Sequence, residues 1–391
     1  MPWKVVSTMS QRQEFVALAT QDGANIAQLA RRFGVSRPTA YKWLARQQSG
    51  GIAVLADRSR RPKSSPAKST DATERLVLEA RDLHPVWGAR KLRQFLIGKG
   101  HTLPAISTVN EILRRHQRLG PRAGVTRDCQ RFEHPSPNDL WQMDFKGHVG
   151  MTDNRRCHPL TVLDDHSRYA LGIVACLNET FETVQQSLTA IFRRYGMPAR
   201  MLMDNGPPWG DQVNQPLTVC TIWLIRLGIR INHGRPYHPQ TQGKDERFHR
   251  TLKAEVLERH TLTGIADAQR QFDVWKIVYN TERPHQALDD ATPVTRYRSS
   301  PRSYPETLPP IEYDSTDIIR QVQSSGRITH ERRDYRLSKA LVGQDVALRP
   351  TAEGLLGVWF GCQRLGTLDP DQGVLIRRWS EDANRATTAT T

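Results

Sequence analysis

The segment 141-WQMDFKG-147, in the middle of this chain, has the alternating pattern of a β-strand. Alternation along a strand places Trp141, Met143 and Phe145 on one face and turns Asp144 to the other. A strand covered on both faces is usually apolar on both, so a carboxylate in its middle needs a reason. Binding of a metal ion is such a reason.

Two further acids follow in positions that suit the same site. Asp204 ends the apolar segment 199-ARMLMDNG-206, at the carboxyl end of a buried strand, where α/β sheets place their ligands. Glu246 lies where the loop of 238-HPQTQGKDERFHRTLKAEV-256 enters a helix, and no other glutamate lies between it and Asp204. The helix dipole favours a carboxylate in that first turn.

The segments around these acids alternate between strand and helix patterns. Their order, β-β-β-α-β-α-β-α, predicts an α/β RNase-H-like core with a mixed five-stranded sheet. In the turn after the second strand, Asp164 and Asp165 are expected to cap the chain and to pair with Arg168. Short strands beyond residue 310, broken by Gly and Pro, predict a small β-barrel.

The segment 26-IAQLARRFGVSRPTAYKWL-44 has the sequence pattern of a helix-turn-helix motif. Gly34 can adopt the positive φ of a tight turn, and Ser36 can cap the helix that follows. This all-α module resembles helix-turn-helix DNA readers; the alternative is a plain three-helix bundle with solvated charges. The side chains expected to face the major groove are Arg37, Thr39 and Lys42.

A second all-α module is expected after a basic linker. Apolar stripes recur at helical spacing through residues 71–119, and Ser107 or Thr108 is expected to cap the last helix. Arg114 and Arg115 lie at the far end of that helix and are candidate DNA contacts. The linker itself fits either an arm for the minor groove or a simple spacer.

The charge balance supports a nucleic-acid partner. The chain has 391 residues and a formal charge of +16, of which +14 lies in residues 1–135 (24 Lys and Arg against 10 Asp and Glu). Such asymmetry predicts an anionic polymer as partner. No apolar run approaches a membrane span and the N-terminus has no signal-peptide core, so a cytoplasmic, nucleoid-associated location without membrane contact is expected. The five scattered cysteines are expected to be free thiols.

Several motifs together resemble one family: WQMDF, LDDHSRY, MLMDNGPPW, RPYHPQTQGKDERFHRTLK and YNTERPHQALDDATP. The set is similar to that of bacterial insertion-sequence DDE transposases with a retroviral-integrase-like catalytic core. The resemblance covers roughly residues 10–300. It implies a catalytic, metal-binding triad of Asp144, Asp204 and Glu246. The 41 residues between Asp204 and Glu246 exceed the usual gap, and the excess is assigned to residues 207–225.

The chemistry that this family implies is phosphoryl transfer with two Mg²⁺ ions per active site, for which Mn²⁺ substitutes. The expected function is binding of terminal inverted repeats, followed by DNA cleavage and strand transfer. Double-stranded DNA is the expected partner, and two or more copies are expected to assemble on paired ends. Basic residues recur at every third position on the Glu246 helix and include Lys244, Arg247 and Arg250. They are expected either to lie along the DNA backbone or to form a solvated face.

Five segments are therefore expected along the chain. They are a helix-turn-helix domain (residues 1–55), a basic linker (56–70), a second helix-turn-helix or winged-helix-like domain (71–120), an RNase-H-like integrase core (136–300) and a small C-terminal β-barrel (310–380). One alternative is a DNA-binding regulator whose integrase-like core is inactive. Another is a nuclease that cuts without joining, which the long DNA-binding front end disfavours.

Overall fold

The structure is a computed structural model that describes residues 7–50, 52–57, 68–119, 133–210, 217–234, 243–351 and 354–376. The chain divides into two compact units, Met1–Lys68 and Ser69–Thr391. Most of the predicted linker 56–70 lies outside the described residues, as does Cys129. The other four cysteines are free thiols, as expected. No helix within the described ranges is long and apolar enough to cross a membrane.

The first unit contains the predicted three helices, around a core that includes Ala30, Ala40 and Trp43. Gly34 has a φ of +63°, which a residue with a side chain rarely adopts, and it makes the turn between the second and third helices. The main-chain N–H of Thr39 donates to Ser36 Oγ (3.4 Å), which caps the third helix as predicted. The helices are Thr8–Ala19 (α1), Ile26–Arg32 (α2) and Arg37–Gly50 (α3), followed by a 3₁₀ turn at Ile52–Leu55.

The second helical module opens the second unit, with Val77, Leu92 and Ile112 fully buried at its centre. Its helices are Asp71–Leu83 (α4), Ala89–Gly98 (α5) and Ile106–Arg115 (α6). The prediction that Ser107 or Thr108 caps α6 is wrong. The carbonyl of Ala105 already accepts from the main-chain N–H of Thr108 (3.0 Å), so the helix begins before either side chain.

The catalytic-core sheet has the predicted mixed topology. Its strands are Trp141–Phe145 (β1), Val149–Gly150 (β2), Arg156–Asp164 (β3), Ala170–Cys176 (β4), Arg200–Met203 (β5) and Arg230–His233 (β6). Their order is β4-β3-β1-β5-β6, with the short β2 paired to the start of β3. The pairs β4-β3 and β3-β1 are antiparallel, whereas β1-β5 and β5-β6 are parallel. The central position of β1 puts Asp144 inside the sheet.

Helices cover both faces of this sheet. The helices are Phe181–Tyr195 (α7), Val219–Arg226 (α8), Gly243–Leu252 (α9) and Ile265–Thr281 (α10), and a π-helical turn, Lys253–Leu257, continues α9. One apolar cluster joins Met143 of β1 to Phe192 of α7 and Trp223 of α8. Another joins Ile173 of β4 to Phe248 of α9 and to α10. Burial on both faces explains why the strands are nearly continuous apolar runs.

The C-terminal strands form where the sequence predicted them, but the described residues do not close a barrel. The strands are Ile318–Gln321 (β7), Arg327–His330 (β8), Arg333–Arg336 (β9), Asp345–Pro350 (β10), Leu356–Phe360 (β11), Gln363–Asp369 (β12) and Val374–Ile376 (β13). They make an open sheet, β13-β12-β11-β10-β7, and a separate β8-β9 hairpin. The two edge strands have four and three residues and do not pair with each other, which leaves the sheet open.

Candidate active site and DNA-binding surfaces

Asp144 lies on β1, between the antiparallel β3 and the parallel β5. Its main-chain carbonyl accepts a hydrogen bond from Thr161 Oγ1 (3.0 Å) on β3. Burial raises the pKa of Asp144 to about 7, and the nearby carboxylate of Asp204 adds to the rise. Among the described residues neither carboxylate forms an ion pair with lysine or arginine. The fold therefore holds two carboxyl groups near each other with no paired lysine or arginine among the described residues.

Asp204 follows β5, and one of its oxygens is held from two sides. Oδ1 accepts from the main-chain N–H of Gly206 (2.9 Å) and from the indole N–H of Trp209. The Trp209 ring is buried and stacks on Phe145, with ring centroids 5.4 Å apart and planes 12° from parallel. A Cβ on Gly206 would lie 3.2 Å from Oδ2 and 3.4 Å from Oδ1, so glycine keeps space open beside the carboxylate.

The two acids of α9 occupy opposite environments. Glu246 is exposed and makes no hydrogen bond or ion pair with the described residues. Asp245 is 1% exposed, and neither of its oxygens has a hydrogen-bond partner there. Burial raises the pKa of Asp245 well above its ordinary range, and the carboxylates of Asp144 and Asp165 add to the rise. Asp245 is thus the buried acid of α9, whereas Glu246 is exposed.

A histidine on the same helix also faces Asp144. The Thr161 hydroxyl donates to the Asp144 carbonyl, so it accepts from His249 Nε2 (2.8 Å). Burial lowers the pKa of His249 to about 4, so the ring is neutral near pH 7 and carries its proton on Nε2. The unprotonated Nδ1 then lies 3.8 Å from Asp144 Oδ2.

Asp164 and Asp165 serve the turn that follows β3, largely as predicted. Asp164 accepts from the main-chain N–H groups of Ser167 (2.8 Å) and Asn138 (2.7 Å). Asp165 accepts from the main-chain N–H of His134 (2.8 Å) and from the Gln142 side chain (2.7 Å). The predicted pairing with Arg168 is wrong. Arg168 pairs instead with Glu133 (3.0 Å), and Lys244 takes the place beside Asp165.

The predicted triad is therefore only partly assembled in the structure. Asp144 and Asp204 are close enough to influence each other, whereas Glu246 is placed on the exposed side of α9. Within the described ranges, no group of three or more His, Cys, Asp or Glu side chains is placed to hold a metal ion. The loop that leads into α9, residues 235–242, lies outside those ranges.

Family comparisons match nearly the whole chain in consecutive pieces. A helix-turn-helix domain matches residues 11–63 and a homeodomain-like domain matches residues 39–113. The integrase core domain matches residues 134–239 and 227–293. The C-terminal domain of IS481 family transposases matches residues 317–373. The chain therefore contains an integrase core domain and is similar to insertion-sequence transposases. Its family comprises metal-dependent polynucleotidyl transferases.

Similar proteins include two from bacterial insertion elements. An uncharacterised 31.7 kDa protein of insertion element IS407 from Burkholderia multivorans is 27% identical over 45% of this chain and 62% of the relative. A 39.2 kDa protein of insertion element IS476 from Xanthomonas euvesicatoria is 25% identical over 69% of this chain and 78% of the relative. The catalytic core domain of BIV integrase is 22% identical, with a TM-score of 0.31 over 40% of this chain and 92% of that domain. The chain covers less than two thirds of the length of the IS407 protein.

The first helix-turn-helix module presents its predicted DNA contacts unequally. Arg37 and Lys42 are exposed on α3. Thr39 is half-buried, and its hydroxyl lies 2.9 Å from Ser36 Oγ, so it belongs to the helix cap. Sequence reasoning missed Tyr41, whose ring is 58% exposed on the same helix. An aromatic residue outside the apolar periodicity of α3 was the signal that pointed to it.

The second module places its two predicted contacts in different roles. Arg115 donates to the buried Glu74 (2.9 Å), which His116 Nε2 also contacts (2.8 Å). This bond joins α6 to α4, so Arg115 is engaged inside the module. Arg114 is exposed and pairs with Glu111 one turn earlier on the same helix.

The basic residues of α9 do not share one face. Lys244 points inward to Asp165, and burial lowers the pKa of its amine. Arg247 and Arg250 are exposed. A helix turns about 100° per residue, so every third residue falls about 60° behind the last, and the two steps from Lys244 to Arg250 move about 120° round the helix. The three-residue spacing of these basic side chains therefore predicts that they point in different directions and do not form one stripe.

Proposed function

We propose that this transposase binds the terminal inverted repeats of an insertion sequence and catalyses metal-dependent DNA cleavage and strand transfer. The observation that carries the proposal is the pair of carboxylates on β1 and after β5. Asp144 and Asp204 are held together without a lysine or arginine partner among the described residues, and the pKa of Asp144 is raised to about 7. Electrostatic repulsion of this kind between two neighbouring acids is typical of a site that binds cations.

The donor set fits a hard divalent ion. Carboxylate oxygens are the ligands that Mg²⁺ prefers, and a bound cation would relieve the repulsion between Asp144 and Asp204. We propose two Mg²⁺ ions per site, replaceable by Mn²⁺, with Asp144, Asp204 and Glu246 as ligands. Bound ions of this kind stabilise the charge on the attacking and leaving oxygens of phosphoryl transfer.

Neighbouring residues of the chain hold Asp204 and Asp144 in position. Trp209 and the Gly206 N–H hold Oδ1 of Asp204 and leave Oδ2 without a protein hydrogen bond among the described residues. Thr161 ties the main chain of Asp144 to β3. Two displacements follow in order. In the first, water attacks a phosphodiester, and the bond from phosphorus to the 3′-oxygen breaks, which frees a 3′-hydroxyl. In the second, that hydroxyl attacks the phosphorus of a target phosphodiester and displaces the 3′-oxygen of the target strand. One bond to phosphorus forms as each one breaks.

The remaining parts of the proposal concern DNA and assembly. We propose the domain division 1–55, 56–70, 71–120, 136–300 and 310–380, with the last segment an open sheet in its described part. The proposed double-stranded DNA contacts are Arg37, Thr39, Lys42, Arg114, Arg115, Lys244, Arg247 and Arg250, with the exposed members as the stronger candidates. Because each element has two ends, we propose that at least two copies assemble on paired ends at the nucleoid.

The test uses purified full-length protein, a labelled element-end duplex and Mg²⁺, and scores nicking and strand joining on sequencing gels. Three isosteric variants are compared with the wild type: Asp204→Asn, Glu246→Gln and Asp245→Asn. Asp204→Asn is expected to lose both products by at least about 100-fold, because it removes a charge that holds the ion. Glu246→Gln is expected to behave in the same way.

The Asp245→Asn variant distinguishes which of the two acids of α9 is the third metal ligand. Retained activity in this variant, with loss in Glu246→Gln, supports Glu246 as the third ligand. The reverse pattern would transfer that role to Asp245. Specific binding without metal-dependent cleavage by the wild type would favour a DNA-binding regulator, and cleavage without joining would favour a nuclease.

A further inference from the structure

One buried carboxylate joins the second helical module to the catalytic core. Glu255 lies in the π-helical turn Lys253–Leu257, and its side chain is 9% exposed. Its Oε1 accepts from the indole N–H of Trp87 (3.2 Å) and from Arg283 Nε (3.0 Å). Its Oε2 accepts from the indole N–H of Trp275 on α10 (2.9 Å). Donors from the module, from α10 and from the segment after α10 therefore meet on one acid.

Packing around this acid comes from both sides of the junction. The Trp87 ring is fully buried and stacks on His84, with centroids 3.7 Å apart. Val278 of α10 packs against the apolar cluster of the module. A second ion pair, Arg90 Nε to Asp290 (2.8 Å), also joins the module to the segment after α10. The second module is thus packed into the core and not only tethered to it.

The chemistry of the junction favours one geometry. The charge of Glu255 is nearly removed from water, and Arg283, 7% exposed, is the cation that neutralises it. Two indole donors complete its hydrogen bonds, and each indole has only one N–H to give. Displacing the module would leave Trp87 and part of a buried carboxylate without partners, which is costly.

The junction lies on the same helical segment as Asp245 and Glu246. Glu255 follows Glu246 by nine positions, which corresponds to roughly 14 Å along a helix. The π-helical turn departs from regular α-helix at the point where Glu255 turns toward Trp87, and such turns are frequent at functional positions. The segment α9 and its π turn therefore connect a DNA-binding module to the acids.

We propose that Glu255 is a positioning residue that sets which phosphate is cut. Through Trp87 it holds the second module at a fixed distance from the acids, so the base pairs bound by that module define where the scissile phosphate falls. This inference rests on the proposed function. It also gives a role to the YNTERPHQAL segment, since Arg283 belongs to it.

The experiment maps nicks at single-nucleotide resolution on a labelled element-end duplex with full-length protein and Mg²⁺. Trp87→Phe removes the indole N–H from the junction and keeps a smaller aromatic ring in the buried position. Glu255→Gln keeps the shape and removes the charge. Glu258→Gln is the matched control, because Glu258 is exposed near the same turn and its only described pair is with Lys253, also exposed.

In the wild type and in Glu258→Gln, nicks are expected at one phosphate. In Trp87→Phe and Glu255→Gln, nicks are expected to spread over neighbouring phosphates, with binding of the duplex within about threefold of wild type. Hydrogen exchange is expected to be faster in α4–α6 of both variants.

A slower reaction at the unchanged wild-type phosphate, in variants whose Tm and DNA binding are near wild type, would overturn the inference and leave Glu255 a structural role only. Trp87→Phe serves where Glu255→Gln fails to fold. Absence of nicking by the wild type contradicts the proposed function itself, which distinguishes that failure from a failure of positioning alone.

Discussion

At the scale of single residues, Trp209 shows how a side chain outside the predicted triad can control it. Its indole N–H binds Asp204 Oδ1, and its ring stacks on Phe145, the neighbour of Asp144. The two strands that carry the acids are therefore connected through one buried ring. Sequence reasoning noted MLMDNGPPW as a motif but gave Trp209 no role, because a hydrogen bond between positions 204 and 209 depends on the course of the turn.

Trp209→Phe tests this connection, because phenylalanine keeps an aromatic ring against Phe145 and lacks the donor. Partners of metal ligands commonly contribute about 10-fold to metal affinity, so Mn²⁺ binding is expected to weaken about 10-fold. Titration of the DNA-free protein with Mn²⁺, followed by electron paramagnetic resonance, measures this. Trp223→Phe, in the same apolar cluster, is the control and should bind Mn²⁺ like the wild type. Equal affinities in both variants would rule out the positioning role.

Lys91 provides a pH-dependent prediction at the same scale. Burial lowers the pKa of its amine to about 8, Arg283 and Arg247 add to the decrease, and Glu255 opposes it. The unfolded chain keeps the ordinary value of 10.5. Below pH 8 the amine is charged in both states, and its burial destabilises the fold. Between pH 8 and 10.5 the folded protein loses this proton first, so the penalty declines as pH rises.

Lys91→Met is therefore expected to raise the Tm at pH 7 by about 2 °C or more, and this gain should shrink toward pH 10. Thermal unfolding of both proteins at pH 7, 8.5 and 10 checks the trend. Lys99→Met changes an exposed lysine next to the end of the same helix, whose amine lies 4.3 Å from the Phe95 ring centroid, and should give no comparable gain in Tm at pH 7. A gain that stayed constant across this pH range would show that packing, and not charge, is responsible.

At the scale of elements, most helices and strands could be predicted because their patterns are local. The apolar strand around Asp144, the strand ending at Asp204 and the helix that follows the Gly243 region all formed near the predicted positions. The turn at Gly34 and the cap at Ser36 also follow from local geometry alone. Elements of this kind depend on neighbours a few residues away, which the sequence displays directly.

The orientation of α9 could not be predicted in the same way. The sequence places Asp245 and Glu246 side by side, and a rotation of about 100° decides which one faces the sheet. That rotation is set by the packing of Phe248 and Leu252 against β3 and β4, which are distant in sequence. The β-barrel prediction was not confirmed for a related reason. Closure depends on pairing between edge strands, and the strand patterns are the same in open and closed sheets.

At the scale of the whole molecule, two DNA-binding modules belong to different compact units. The first lies in Met1–Lys68, and the second is packed on the catalytic core within Ser69–Thr391. On the positioning proposal, the second module holds its DNA at a fixed place relative to the core, whereas the first is joined to that body by the basic linker segment. Element-end recognition should accordingly divide into two parts that respond separately to mutation.

A footprint of the element end tests this division. Arg37→Ala combined with Lys42→Ala removes two exposed cations from α3 and is expected to abolish protection of one segment of the repeat. Protection near the cut site should persist, because the second module and the core supply it. The slope of log affinity against log salt should fall by up to about 1.8 if both side chains contact phosphates.

Arg32→Ala is the matched control, since Arg32 is exposed on α2 and pairs weakly with Glu14 (3.9 Å). It should leave both segments protected. Uniform loss of protection along the whole repeat in the Arg37 and Lys42 variant would mean that the modules bind as one cooperative unit. Unchanged protection would remove the first module from recognition. Only a loss confined to one segment agrees with a second reader that is built into the catalytic body.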